Sequence, residues 1–382
     1  MSTSILQKIP FAAKPKFKKS DEEEFSKILT QRVENYFRTT GKPKKGGWEA
    51  TTKTLFLLIL FVVLYGLLLS NWLNPWGTFF IGLLFGLSHG LIVFNIAHDA
   101  SHNALFKSIK LNRLMSYTFN LVGSNSYLWN LSHNKTHHSY PNIADFDPDI
   151  HQQAPLIRMS PTEPYRWYNR YQHLYATLLY LLFSIFFVFV KGLKEFFPSS
   201  KSKRWLGIDR PPFREYVILF LTKLIYFTYT LLIPLLVLDV TWQQFFMGYI
   251  GIHFVLSLFL LSVLIPVHLV DQSEFGTVDH KGHLDDTWTV HIFKNTIDFA
   301  RKSKLANFLF GGLNTHIVHH IYPNICHIHY IALSEIIKQT AEEFHIKYHE
   351  ESMWGAIVSH YRLLKKMGTR TASDQSMNLK MN

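Results

Sequence analysis

Charge is scarce in this chain. Only 17% of its 382 residues are Asp, Glu, Lys or Arg, and it carries a single cysteine, Cys326. One thiol excludes an internal disulfide framework and any metal site built on paired cysteines. The first 50 residues are polar and Lys-rich, with neither the short apolar core nor the small-residue cleavage site of a secretion signal. No solenoid repeat is present. The net charge of +12 is not accompanied by an Arg-rich recognition helix or a nucleic-acid motif. The basic residues flank apolar blocks instead, an arrangement suited to an anionic membrane face.

What the chain has in quantity is apolar and aromatic residues, 48% and 15% respectively, and they are clustered. Residues 54–73, 78–97, 174–193, 216–238 and 244–267 are each long and apolar enough for a hydrocarbon core, which takes roughly 20 residues of helix. "NPWG" joins the first two as a tight hairpin, and a short turn at Asp239–Gln243 joins the last two. Histidine clusters lie near residues 98, 137 and 319. If they serve one site, the chain between 138 and 316 must cross an even number of times, so one of its three candidate spans does not cross. The basic stretch "KSKRWLGIDRPPFR" and the Lys-rich N-terminus both belong on the cytoplasmic side, which makes 174–193 the interfacial or re-entrant segment. The expected fold is an all-α integral membrane protein with about four transmembrane helices in two hairpins, plus a cytosolic helical cap carrying the histidines.

Outside the spans, Ser20 caps a predicted helix with Glu23 at its third position and an apolar stripe of Phe25, Ile28, Leu29, Val33 and Phe37. It reads as a membrane-surface helix, with ordinary packing against protein as the alternative. "VDQSEFGTVDHKGHLDD" reads as a loop, helical patterning resumes near Thr296, "SEIIKQTAEEF" reads as a helix, and the tail after Gly368 reads as disordered.

The histidines carry the chemistry. "HDASH" holds His98 and His102; "HNKTHH" holds His133, His137 and His138; "HIVHH" holds His316, His319 and His320. Residues three or four apart share a helix face, so each cluster can aim at least two imidazoles into one space. Adjacent residues on a helix point about 100° apart. His137 and His138 therefore suit two neighbouring ions rather than one, and so do His319 and His320. Eight imidazoles exceed what zinc takes, while neutral imidazole also suits iron and copper. Redox work on a hydrocarbon beside a membrane favours non-haem iron. A bis-His haem would leave the adjacent pairs unexplained.

Other polar residues are candidates of a second rank. His268 follows the last span on the correct side and is either a ninth ligand or an interface residue. His89 and His253, inside spans, suit buried hydrogen bonds. His280, His283, His291, His327 and His329 suit the surface or support of the ligands. Asp99, Asp145 and Asp147 could accept the free ring N–H of ligating histidines, with caps and loop carboxylates as the alternative. The Pro-Asn after each histidine pair ends its helix.

In order, spacing and relation to the spans, His98 to His102, His133 to His138 and His316 to His320 resemble the three histidine boxes of the membrane fatty acid desaturase family, from about residue 54 to residue 335. The resemblance implies a di-iron enzyme with a narrow acyl tunnel, in which dioxygen is the co-substrate and two hydrogens leave adjacent methylenes. It also implies that the eight box histidines are ligands and that His268 matches a further ligand found in some members. The corresponding division is 1–50 as a cytosolic segment, 51–335 as the membrane desaturase domain and 336–382 as a cytosolic helix and tail. Two departures stand out. The second box is similar to that of the branch acting toward the carboxyl end, yet His316 stands where that branch usually has Gln. The branch also commonly carries a fused cytochrome, which the first 50 residues have no room for. A separate ferredoxin or cytochrome with its reductase is therefore the expected electron donor, an acyl lipid or acyl-CoA the expected substrate, and a bacterial inner membrane with its site toward the cytoplasm the expected location. A hydroxylase or ketolase of lipids, alkanes or carotenoids on the same scaffold is the closest rival. A metal transporter or sensor would instead line several spans with polar residues.

Overall fold

The computed structural model describes residues 14–18, 23–144, 146–151, 155–197, 210–279 and 281–370. The expected Ser20 cap, His280, Asp145 and most of the tail after Gly368 lie outside them. Four helices are long and apolar enough to cross a membrane: α2 (Gly47–Leu69), α3 (Pro75–Ser101), and, later in the chain, Phe213–Val237 and Trp242–Leu264. The chain is an integral membrane protein built on helices. Among the described residues the only sheet pairs two-residue strands, β1 (Asp298–Phe299) and β2 (Glu350–Glu351), in parallel.

Local sequence sets the helix starts. Asn74 accepts a hydrogen bond from Gly77 N at 2.8 Å, with Pro75 in the first position of α3, the combination that pre-forms a first turn. α3 is the central helix, packed against α2 on one side and Trp242–Leu264 on the other. The outer helices turn Leu55, Phe56, Ile59 and Val62 outward, where lipid replaces water as solvent. Trp72, Trp76 and Trp242 are exposed at the far hairpin tips, the amphipathic position of an interfacial aromatic belt.

Between the hairpins come α4 (Ile109–Ser116) and α5, which starts at Ser126–Trp129 and continues as a π-helix over Asn130–His137. The segment expected not to cross is broken. α6 (Trp167–Leu181) and α7 (Phe183–Phe196) meet at a bend of 62°. Gln172 at one end is bonded to Arg158 and to the carbonyl of Leu364. At the other end the Phe196 carbonyl accepts from Tyr216 near the start of α8 (Phe213–Val237). Ser184, at the bend, is bonded to His253 and Ser257 of α9 (Trp242–Leu264).

The cap comprises α1 (Glu23–Thr40), α10 (Trp288–Asn295), α11 (Lys304–Phe310), α12 (His316–Ile321), α13 (Tyr330–Glu343) and α14 (Met353–Met367). The stripe of α1 does not face lipid. Phe25, Leu29, Val33 and Phe37 are buried against Leu333, Ile337 and Ala341, and Arg32 pairs with Glu343 at 2.7 Å. An apolar stripe of this width fits a protein groove as readily as a membrane surface; the stripe on α13 provides that groove. A boundary at residue 335 would fall inside α13.

Candidate metal centre

All three boxes converge where α3 and α9 meet the cap. α3 reaches the site through a π turn at Val93–Ala97, directly before His98. Asn95 repairs that turn by donating to Leu91 O and Leu309 O. Gly311, with φ +57°, brings the cap loop against it; a Cβ there would stand 2.3 Å from Phe94 O, so this close approach requires glycine.

The second box departs from the i,i+4 expectation for a physical reason. Its π-helix aligns residues five apart, so His138 N donates to His133 O at 3.0 Å and their Nε2 atoms stand 3.3 Å apart. His137 turns to the other side. Its Nε2 lies 3.1 Å from that of His268, which is 3.0 Å from that of His320. The ligand atoms form two groups, each within 4.8 Å: His98, His102, His133 and His319 in one, His137, His268, His316 and His320 in the other. His138 lies at the seam, its ring 4.6 Å from that of His102 and 4.5 Å from that of His320. His319 and His320 fall in different groups, and His137 and His138 also point apart, His137 into the second group and His138 to the seam, as side-chain directions on a helix require.

The donor atoms fit metal ions better than they fit one another. Nε2 of His102 and of His319 is buried with no hydrogen-bond partner, a costly state for a polar atom. Three Nε2 atoms meet at about hydrogen-bond distance around His268, although each ring can use that nitrogen only once as donor or acceptor. On the opposite ring edges, His268 Nδ1 donates to Asn295 O at 3.2 Å and His316 Nδ1 to Leu313 O at 3.1 Å, which leaves Nε2 as the ligating atom. Burial, reinforced by neighbouring imidazoles, pushes His102, His133, His138, His316, His319 and His320 well below the ordinary histidine range. His268 is lowered to about 3 for the same reasons. These are neutral rings, the form that binds metal.

His137 is the exception. Burial opposes its charge, but the Asp147 carboxylate outweighs burial and raises it to about 8. Asp147 is fully buried. Both of its oxygens lie 3.1 Å from His137 Nδ1, and it also accepts from Asn142 N at 2.8 Å. Asn142 in turn donates to His268 O at 2.9 Å, linking the second box to the end of α9. The Tyr-Pro-Asn that recurs after each histidine pair was the available signal for Asn142, beyond its part in ending the helix.

Asp99 takes a different partner from the one expected. Its Oδ2 accepts from His327 Nδ1 at 2.7 Å, while His98 Nδ1 is 3.9 Å from its nearest oxygen. His327 Nε2 faces Lys53 Nζ at 2.9 Å, so both ring nitrogens of this member of the nearby Asp99, Cys326 and His327 grouping are already engaged. His327, His291 and His329 are buried rather than superficial, whereas His283 is exposed. His291 Nε2 donates to Pro141 O at 2.7 Å, and His329 Nε2 to Pro43 O at 2.9 Å. Within the spans, His89 faces Tyr229 Oη at 3.1 Å and His253 faces Ser184 Oγ at 2.9 Å.

An apolar cavity runs from this centre into the bundle. His133, His137, His268 and His316 line it at the metal-centre end, and Phe119, Phe187, Leu256, Leu260 and Leu264 are among its walls.

Residues 70–352 match the family model described as "Fatty acid desaturase". The chain is 31% identical over 350 residues to the sn-1 linoleoyl-lipid 6-desaturase of Synechocystis sp., covering 90% of this chain and 95% of that protein. It is 31% identical over 348 residues to the protein of the same name from Arthrospira platensis, at 90% and 92% coverage. With the acyl-lipid (8-3)-desaturase of Physcomitrium patens it shares 29% identity over 369 residues, at 94% and 76% coverage.

Proposed function

The chain belongs to the fatty acid desaturase family, and from that premise we propose that its two histidine groups hold two non-haem irons at the head of the acyl cavity. As a fatty acid desaturase it is an oxidoreductase of lipid metabolism, and its substrate is a lipid. The finer reading rests chiefly on one observation, the division of buried Nε2 atoms into two groups that open onto an apolar cavity.

In this reading His98, His102, His133 and His319 ligate one iron and His137, His268, His316 and His320 the other, with His138 at the seam. The two irons would activate dioxygen, the oxidant that removes two hydrogens from adjacent methylenes. Two electrons from a separate donor, a ferredoxin or a cytochrome with its reductase, and two protons complete the balance: one dioxygen yields two waters and one carbon–carbon double bond. The protein's own part is placement. Asp147 fixes the tautomer and ring plane of His137; the carbonyls of Asn295 and Leu313 do the same for His268 and His316. The apolar walls hold an extended chain and keep bulk water away. Positioning to within about 1 Å matters, because a misplacement of that size can cost about 100-fold in rate.

The substrate we infer is an acyl chain esterified in a membrane lipid, as the names of the linoleoyl-lipid and acyl-lipid relatives suggest. We read the cap as cytoplasmic, because Lys44, Lys45, Lys107, Lys110 and Arg113 adjoin the cap-side ends of α2 and α3 in the sequence, and the membrane as a bacterial inner membrane. The bent α6–α7 pair is read as re-entrant, since α3 and α9 must both deliver histidines to one face. Residues 51–335 are read as the membrane catalytic unit, extended through the rest of α13, against which α1 packs.

The test is the fatty-acid profile, by gas chromatography with mass spectrometry, of a host supplied with a compatible electron donor and expressing the wild type or His319→Ala. A new alkene with the wild type alone is the expected result. A hydroxylated product instead would move the assignment to an oxygenase on the same scaffold.

A further inference from the structure

A second cavity lies behind the first. It sits between the hairpins toward their far tips, lined by Trp76, Phe85, Tyr229, Gly248 and Ile252. Leu256, 3% exposed, is on the wall of both cavities. The two are stacked end to end along the same helices. On α9, Gly248, Ile252 and Leu256 face the distal cavity, and Leu256, Leu260 and Leu264 face the proximal one. Steps of four residues stay on one helix face, so a single trough along α9 is interrupted at Leu256. On α3 the change comes between His89 and Val93, again one turn apart.

The partition is completed from the opposite side. Tyr226 lines the distal cavity and Val188 the proximal one. They meet over Gly123, where an added Cβ would stand 3.0 Å from the Tyr226 ring and 2.9 Å from Val188 Cγ2. Ser184 and His253, bonded at 2.9 Å, extend the barrier, and His253 Nε2 is 3.5 Å from Tyr226 Oη. The distance along α9 from Leu264 to Leu256 is about 12 Å at the helical rise. The proximal cavity therefore ends well inside the bilayer, although apolar space continues beyond its end.

We propose that the distal cavity is a second acyl-chain compartment, closed off by Leu256 and Tyr226, and that Leu256 sets the longest chain the enzyme accepts. Its ligand is the methyl-end segment of the same acyl chain whose methylenes react at the histidine centre. This rests on the desaturase reading. Removing the Leu256 side chain would join the compartments and let a longer tail pass.

The experiment supplies acyl chains of increasing length to cells expressing the wild type, Leu256→Ala or Leu256→Ala/Gly248→Phe, and measures alkene formed from each together with protein level. For the first homologue that the wild type rejects, Leu256→Ala is expected to raise the product ratio, relative to the preferred chain, at least about tenfold, the scale of discrimination that a methylene or two commands. A Cβ at Gly248 has nothing within 4 Å, so the Phe has room to enter the distal space. The double variant should return the ratio to the wild-type value, which a general loosening of the fold would not do. If Leu256→Ala fails to accumulate, Leu256→Val must move the ratio in the same direction. An unchanged length limit in an accumulated variant, or a gain that persists in the double variant, overturns the proposal. A wild type that forms no alkene from any chain overturns the desaturase reading and this proposal with it.

Discussion

Asp147→Asn offers the sharpest test of how the two histidine groups differ. The carboxylate is fully buried, receives His137 Nδ1–H at 3.1 Å from both oxygens, and accepts Asn142 N at 2.8 Å and Asp149 N at 2.9 Å. The amide keeps the shape but loses the charge and turns an N–H₂ toward one of these donors. A hydrogen bond to a charged group contributes about 1.5–3 kcal/mol, which corresponds to roughly 10- to 100-fold in affinity. Only the group containing His137 should weaken, because no ligand of the other group bonds to Asp147. Iron content of the detergent-purified protein, titrated against a chelator, should show one of the two irons released about 10- to 100-fold more easily, with turnover falling alongside. Asp149→Asn is the control. Its carboxylate is 3.6 Å from His137 Nδ1 and 34% exposed, so its effect should stay below about fivefold. Two equally tight irons in Asp147→Asn, or an equal loss in Asp149→Asn, would refute the assigned role of the carboxylate.

Three further outcomes are expected. Chelation of iron should abolish turnover while the far-ultraviolet circular dichroism of the spans persists, and ferrous iron should restore activity where zinc does not, since zinc has no redox chemistry. Lys223→Met should lower the thermal midpoint by leaving Gly123 O and Val188 O, both bonded to Lys223 Nζ, without their buried donor; the cost is about 2 kcal/mol, and a midpoint equal to wild type would count against that anchor. His360, held neutral by burial and lowered to about 4, should make stability pH-dependent. The unfolded chain takes up this proton near pH 6.5 and the folded one only near 4, so stability is full above 6.5 and falls by up to about 3 kcal/mol as pH drops through that window. Denaturation of His360→Gln should show a correspondingly shallower slope than wild type, and an equal slope would contradict the assignment.

How much of this was legible beforehand depends on the range of the interaction. The second box was recognisable as a metal motif, but its π-helical winding was not, and winding decides that His133 meets His138 rather than His137. Asp99 had a ligating neighbour one residue away and yet bonds to His327, 228 positions along the chain. The α1 stripe was correctly seen as apolar; its partner on α13 lies some 300 residues away, and no periodicity carries that information. His268 was a candidate from its place after a span, and the fold brings it against His137 and His320.

The sequence by itself determined the spans, the hairpins and the presence of a multi-histidine centre at one membrane face. Each follows from a local quantity: apolar length against bilayer thickness, turn chemistry, and the pitch that puts residues four apart on one face. Tertiary structure alone decided the allotment of imidazoles between two groups, the carboxylate that orients His137, and the wall at Leu256 between two apolar cavities. These depend on how helices distant in sequence are packed, and close packing resolves differences of a few tenths of an ångström that no local pattern encodes.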